Sequence, residues 1–216
     1  MEINELLKIK ALGNLLQYYQ SDLRYILRFQ LCKQKAISRS KYLLKSPGSF
    51  QSFLNEFRIA RNVQKGRVPE LLDLTMEWVS TNPADDVDLF ADKLREKEIT
   101  QENKTMTSLA SKVLFLKNPW VILPCDTLNR RAVGVKTNRY SDFYRAIIER
   151  ETLPIDDYLK PVQEYLCAIE DAFKEEIDDI SKIRRNRFLD KLLWVQGQKL
   201  VLSKATGTKT AACFET

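Results

Sequence analysis

The sequence predicts an all-α protein, built as one compact multi-helix domain or as two helical lobes. Three observations lead there. Apolar residues recur at helical spacing along nearly the whole chain. Only 6 Gly and 7 Pro occur in 216 residues, too few for a turn-rich all-β fold. Strand-like runs are confined to WVIL (Trp120 to Leu123) and KLVL (Lys199 to Leu202).

Each element has a local reason. Leu6, Leu7, Ile9, Leu12, Leu15 and Leu16 make a first amphipathic helix, and Ser21-Asp22 reads as the cap of a second that ends before Pro47-Gly48. Ser49 caps a third, carrying Phe50, Phe53, Leu54, Phe57 and Ile59 toward Gly66. A fourth starts near Val68 with Pro69 in its first turn, and Asn82-Pro83 breaks it. A fifth spans about Asp85 to Glu98. After the polar connector ITQENKTMT comes a helix from Ser108, then an extended WVILP. Asp126 opens a short helix, and Asp142 to Glu151 makes another. From Pro154 a long helical stretch is interrupted near Ser181 and stopped by Gly197, and the acidic run EDAFKEEIDD (170–179) reads as a charged helix face. The expected domains are an N-terminal helical lobe over 1–99, a central and C-terminal helical lobe over 100–202, and a flexible tail over 203–216.

Composition narrows the chemistry. The sequence contains no histidine, which excludes Ser-His-Asp and Cys-His catalysis, HExxH sites and the usual Cys/His zinc fingers. No P-loop and no GxGxxG is present. Cys32, Cys125, Cys167 and Cys213 form no CxxC and read as reduced thiols, mostly buried. No apolar run approaches the ~20 residues of a membrane span, and the N-terminus lacks the layout of a signal peptide. The expectations are a cytoplasmic protein, no membrane, no metal and no cofactor. Trp78, Trp120 and Trp194 read as core or interface anchors.

The net charge is +6, and its distribution is uneven. Residues 22–45 are basic, and 104–145 carry eight basic residues against Asp126 and Asp142. A third basic cluster spans Lys182 to Arg187. Such a surface is the footprint of a phosphate backbone partner, so DNA and a protein partner in a complex are expected. The nucleic-acid-binding candidates are Lys112, Arg130, Arg131, Lys136, Arg139, Arg184, Arg185 and Arg187. Arg58, Arg61, Lys65 and Arg67, after a helix end, are further phosphate-gripping candidates. Solvated helix faces account for the same charges.

The segment SLASKVLFLKNPWVILPCDTLNRR, Ser108 to Arg131, carries the one chemical constellation. It resembles the helix-hairpin-helix DNA glycosylase (HhH-GPD) superfamily. Lys112 stands where that family has its catalytic lysine, and Pro124-Cys125-Asp126-Thr127 where it has its aspartate element. The resemblance implies that Lys112 attacks the sugar C1′ of a flipped nucleotide while Asp126 assists departure of the base. The resemblance also implies a helix-hairpin-helix-like centre to the fold, within the 100–202 helix-hairpin-helix-like and C-terminal lobe. The chain differs from the family in four ways: Ser108 and Ala110 replace hairpin glycines, Leu128 replaces a histidine, the Lys112 to Asp126 spacing is shorter, and no iron-sulfur cysteine cluster follows. A looser likeness is to small bacterial helical proteins encoded with mobile elements or phage-defence operons.

Locally, Asp126-Thr127 is also an ordinary N-cap and Lys112 a snorkelling lysine. Three readings stay open. The first, and the favoured one, is a noncatalytic helical accessory subunit binding DNA or a protein partner in a DNA-transaction or phage-defence complex. The second is a diverged glycosylase or AP lyase using Lys112 and Asp126. The third is a pure protein-interaction subunit.

Overall fold

In the computed structural model, which describes residues 4–79, 82–149 and 153–205, α1 (Glu5–Lys33) is a single helix of 29 residues. Asn4 caps it by accepting from the Leu7 amide. Its buried stripe, Leu15, Tyr19, Leu23, Ile26 and Phe29, follows the three- and four-residue steps of a helix packed on one side. The break expected at Ser21-Asp22 does not occur. Asp22 turns inward to Arg187, 165 residues away, and Ser21 bonds Tyr18 and Glu56 instead of capping. A tertiary partner has taken the side chains that would otherwise start a new helix.

Short helices follow: α2 (Arg39–Leu43) and α3 (Phe50–Glu56). Ser49 caps α3 as its sequence indicates, but the helix stops at Glu56 rather than running toward Gly66. Phe57 is its C-cap and Arg58 adopts a left-handed φ of 56°, with the Arg58 and Ile59 amides closing on Asn55 and Leu54 carbonyls. Then come α4 (Val68–Glu77), with proline in its first turn, and α5 (Pro83–Glu96), capped by Asn82. α5 packs on α6 (Thr107–Lys117), giving a helical hairpin whose connector contains no glycine.

The extended segment between α6 and α7 (Thr127–Ala132) forms no strand, and KLVL lies inside a helix. Side chains satisfy the segment's backbone instead. Tyr140 Oη accepts from the Leu123 amide at 3.0 Å, Ser111 Oγ accepts from the Cys125 amide at 3.0 Å, and Asn129 Nδ2 donates to the Pro124 carbonyl at 2.9 Å. Among the described residues the one β-type contact is an isolated bridge between Val63 and Thr100.

α8 (Tyr140–Ile148) starts where Asp88 of α5 accepts from the Tyr140 and Ser141 amides. α9 (Ile155–Leu159) and α10 (Gln163–Glu170) lead to turns over 171–179, not the helical face expected there. Phe173 and Ile177 tie those turns to the core. α11 (Ile180–Ala205) crosses α1 and α7. It does not stop at Gly197. A Cβ there would lie 2.2 Å from the Leu128 carbonyl oxygen, so glycine lets α11 approach α7 closely.

One hydrophobic cluster draws on buried residues from Ala11 to Leu193. Cys32 and Cys125 are buried, Cys167 is exposed, and Cys213 lies outside the described residues. The tail expected over 203–216 falls outside them from residue 206 on. No described helix is long and apolar enough to cross a membrane.

Candidate functional site

Lys112 sits in the middle of α6, one position after Ser111. Because Ser111 Oγ binds the Cys125 amide, the residue before Lys112 is pinned to the residue before Asp126. That single bond sets the two candidate groups beside each other. Lys112 Nζ lies 4.0 Å from Asp126 Oδ2, with the lysine side chain 13% and the aspartate 27% exposed. The amine donates to the Phe57 carbonyl at 3.1 Å, a group presented by the C-terminus of α3.

Asp126 divides its oxygens between two tasks. Oδ1 accepts from the Leu128 and Asn129 amides at 2.9 and 3.0 Å, capping α7. Oδ2 faces Lys112. Cap and catalytic partner are therefore compatible in one side chain.

Both groups line an open cleft of about 590 Å³. Tyr18 and Asn14 come from α1, Arg58 and Arg61 from the α3 exit, Thr127 and Leu128 from α7, and Lys191 and Trp194 from α11. Beneath it lies a buried ionic cluster. Arg187 is 1% exposed; it bonds Asp22 at 2.8 Å and Asp190 at 2.9 Å, and its guanidinium stacks 4.9 Å from the Phe115 ring centroid. Asn129 Nδ2 also donates to Asp190, at 2.7 Å.

The electrostatics follow from burial. Loss of water pushes the Lys112 amine below the ordinary lysine value, while Asp126 and Asp190 oppose this and Arg187 reinforces it. Burial likewise pushes the Cys125 thiol up. Burial works against the Arg187 charge, and the carboxylates of Asp22 and Asp190 outweigh it, holding the guanidinium above its usual value. Among the described residues no group of three or more carboxylates or thiols is gathered as metal ligands.

No family model matches the chain, and neither a curated protein nor a solved structure matches it.

The other sequence candidates are scattered. Arg131, Lys136 and Arg139 are exposed, Arg139 with its guanidinium 3.9 Å from Asp88. Arg130 donates to the Thr137 carbonyl. Arg131 stands one helical turn beyond Thr127, which lines the cleft. Arg184 is tucked against Glu170, and Arg185 pairs with Asp156. Arg187 is buried at the cleft wall, paired with Asp22 and Asp190. By contrast Arg58 and Arg61, weaker candidates in the sequence, reach the cleft. Tyr18, Asp22, Phe57, Asp190, Lys191 and Trp194 were not singled out as site residues. The sequence signals they do carry, a capping reading for Asp22, an anchor reading for Trp194 and helical periodicity for their segments, say nothing of a cleft.

Proposed function

We propose that this chain cleaves N-glycosidic bonds in nucleic acid, with Lys112 as nucleophile and Asp126 as the carboxylate that stabilises the sugar cation. The observation that carries this reading is the pairing itself: a desolvated amine, facing a fixed carboxylate oxygen, in a cleft large enough for a nucleotide. Burial favours the neutral, nucleophilic amine at a pH where a solvated lysine is charged. The walls of Tyr18 and Trp194 suit a base lifted from its stack, and Arg58 and Arg61 suit its flanking phosphates.

The chemistry balances with the groups present. The glycosidic bond breaks and its electron pair leaves with the base. Asp126 stabilises the positive charge that develops at C1′, and the Lys112 lone pair forms the new C–N bond. The proton this releases from Lys112 passes to Asp126. The nitrogen lone pair then forms the C=N bond as the C1′–O4′ bond breaks, O4′ takes the proton back from Asp126, and water or β-elimination resolves the resulting Schiff base. Repair or phage defence is the setting that the sequence resemblances imply, and the cytoplasm is the compartment expected from the N-terminal sequence and hydropathy.

Borohydride trapping on an oligonucleotide carrying an abasic site tests this. The wild type should form a covalent adduct and Lys112→Ala, checked for an unchanged helical spectrum, should not. Absence of an adduct on both single- and double-stranded abasic DNA refutes the reading. The exposed cations Arg131, Lys136 and Arg139 favour a second reading, a noncatalytic accessory subunit on DNA alone or with a protein partner. Steeply salt-dependent DNA binding without any adduct supports it.

A further inference from the structure

Lys112 is not the only lysine in the cleft. Lys191 of α11 lines it too, one turn after Arg187 and three residues before Trp194. Its amine lies 4.8 Å from the centroid of the Tyr18 ring. In contrast to Lys112, it donates no hydrogen bond to any described residue, so the cation is held by an aromatic face and by surrounding charge alone.

The charges around it come from several elements. Burial acts most strongly and, with Arg187, lowers the Lys191 amine below the ordinary lysine value, while three carboxylates, Asp22 on α1, Asp190 beside it on α11 and Glu56 at the end of α3, oppose this and favour the charged form. Glu56 is itself engaged by Ser21 and Tyr25, and Asp22 and Asp190 are engaged by Arg187. Each of these carboxylates already accepts from another side chain. They leave Lys191 an ammonium with unmet donors, open to the cleft. The amine is half-buried at the cleft wall, and a ligand oxygen entering the cleft can replace water on it.

Resting on the N-glycosidase reading above, the geometry points to Lys191 as the catalytic group that receives a ring carbonyl oxygen of the departing base. The substrate class is accordingly a nucleotide whose base carries such an oxygen. When the glycosidic bond breaks, its electron pair is delocalised from the ring nitrogen onto that oxygen. A fixed ammonium meets the charge as it develops, and no proton need move in that step. Lys112 and Asp126 act on the sugar while Lys191 acts on the base, so the two halves of the cleft serve opposite ends of one bond.

The two roles are separable by experiment. Wild type and Lys191→Met are compared on oligonucleotides carrying one uracil or one hypoxanthine, and on the same oligonucleotides with a preformed abasic site trapped by borohydride. Loss of the ammonium should slow base release about 100-fold and leave abasic trapping unchanged, since no base remains for Lys191 to contact. Lys191→Arg should recover part of the release, and 2-aminopurine, which lacks a ring carbonyl, should be released no faster by the wild type than by Lys191→Met. Undiminished release by Lys191→Met overturns the assignment. So does an equal loss of release and trapping, which would mean that Lys191 merely supports the fold of the site. A wild type that traps abasic DNA but releases neither uracil nor hypoxanthine also overturns it. A wild type that traps nothing overturns the N-glycosidase reading itself, a result distinct from the other three.

Discussion

Replacing Asp126 by asparagine or by alanine separates its two oxygens. Asparagine keeps a side-chain oxygen that can accept from the Leu128 and Asn129 amides, so the cap of α7 survives. Alanine loses it, at about 1 kcal/mol. For a chain of this length, ~1 kcal/mol moves Tm by about 2–4 °C. Asparagine should therefore melt close to wild type and alanine a few degrees lower.

The effect on catalysis differs. A carboxylate about 4 Å from the positive charge that develops at C1′ contributes about 4 kcal/mol at an effective dielectric of ~20. Asp126 is partly open to the cleft, and water screens some of that, leaving ~2–3 kcal/mol, or about 30- to 200-fold in rate. Both variants should lose base release by that factor.

The pH profile adds a third readout. Asp126 supports the Lys112 charge, so removing its carboxylate lowers the amine's pKa further. Adduct formation requires the neutral amine and rises with pH, so its midpoint should move to lower pH in both variants. The assays are thermal melting, single-turnover base release and borohydride trapping from pH 5 to 10. If Asp126→Asn releases base at the wild-type rate while Asp126→Ala loses only stability, Asp126 is a helix cap and the catalytic role assigned to it is wrong.

Other consequences are structural. Arg187→Met leaves Asp22 and Asp190 buried without their cation and should cost about 3–5 kcal/mol, measured by urea unfolding; a loss under 1 kcal/mol would mean that water reaches the cluster. Gly197→Ala gains ~0.5–1 kcal/mol of helix propensity but drives a methyl into the Leu128 carbonyl. Backbone cannot yield as a flexible side chain does, so the overpacking cost of ~1–3 kcal/mol wins, and a Tm above wild type would contradict the close packing of α7 and α11.

Burial raises the phenols of Tyr19, Tyr25, Tyr42 and Tyr140. The folded chain therefore keeps protons that the unfolded chain releases near pH ~10, and stability falls as pH rises through that value. Lys112 and Lys191, lowered by burial, act with the opposite sign below it, but the tyrosines outnumber them. Tyrosinate absorbance should reach its full amplitude only as the helical signal is lost. Complete ionisation at pH ~10 with the fold intact would refute this.

The sequence by itself determined what depends on neighbours within a turn or two. The all-α class follows from periodicity, and the caps at Ser49 and Asp126 and the start at Val68-Pro69 follow from residues whose side chains or ring act on the adjacent backbone. Lys112 and Asp126 were legible as a pair only through family resemblance, since 14 positions separate them and no local rule brings them together.

The tertiary structure decided the rest. It overrode the capping signal of Ser21-Asp22 by offering Asp22 a buried guanidinium, and it carried α11 past Gly197 because Leu128 needed the space. It also kept WVIL extended without a sheet, because the side chains of Tyr140, Ser111 and Asn129 met the backbone. The cleft belongs wholly to this level. Phe57 meets Lys112 across 55 positions, and Lys191 meets Tyr18 between the two ends of the chain. A residue's period shows that it faces inward, but only packing shows which groups share that interior, and the Lys112 charge is set by those groups.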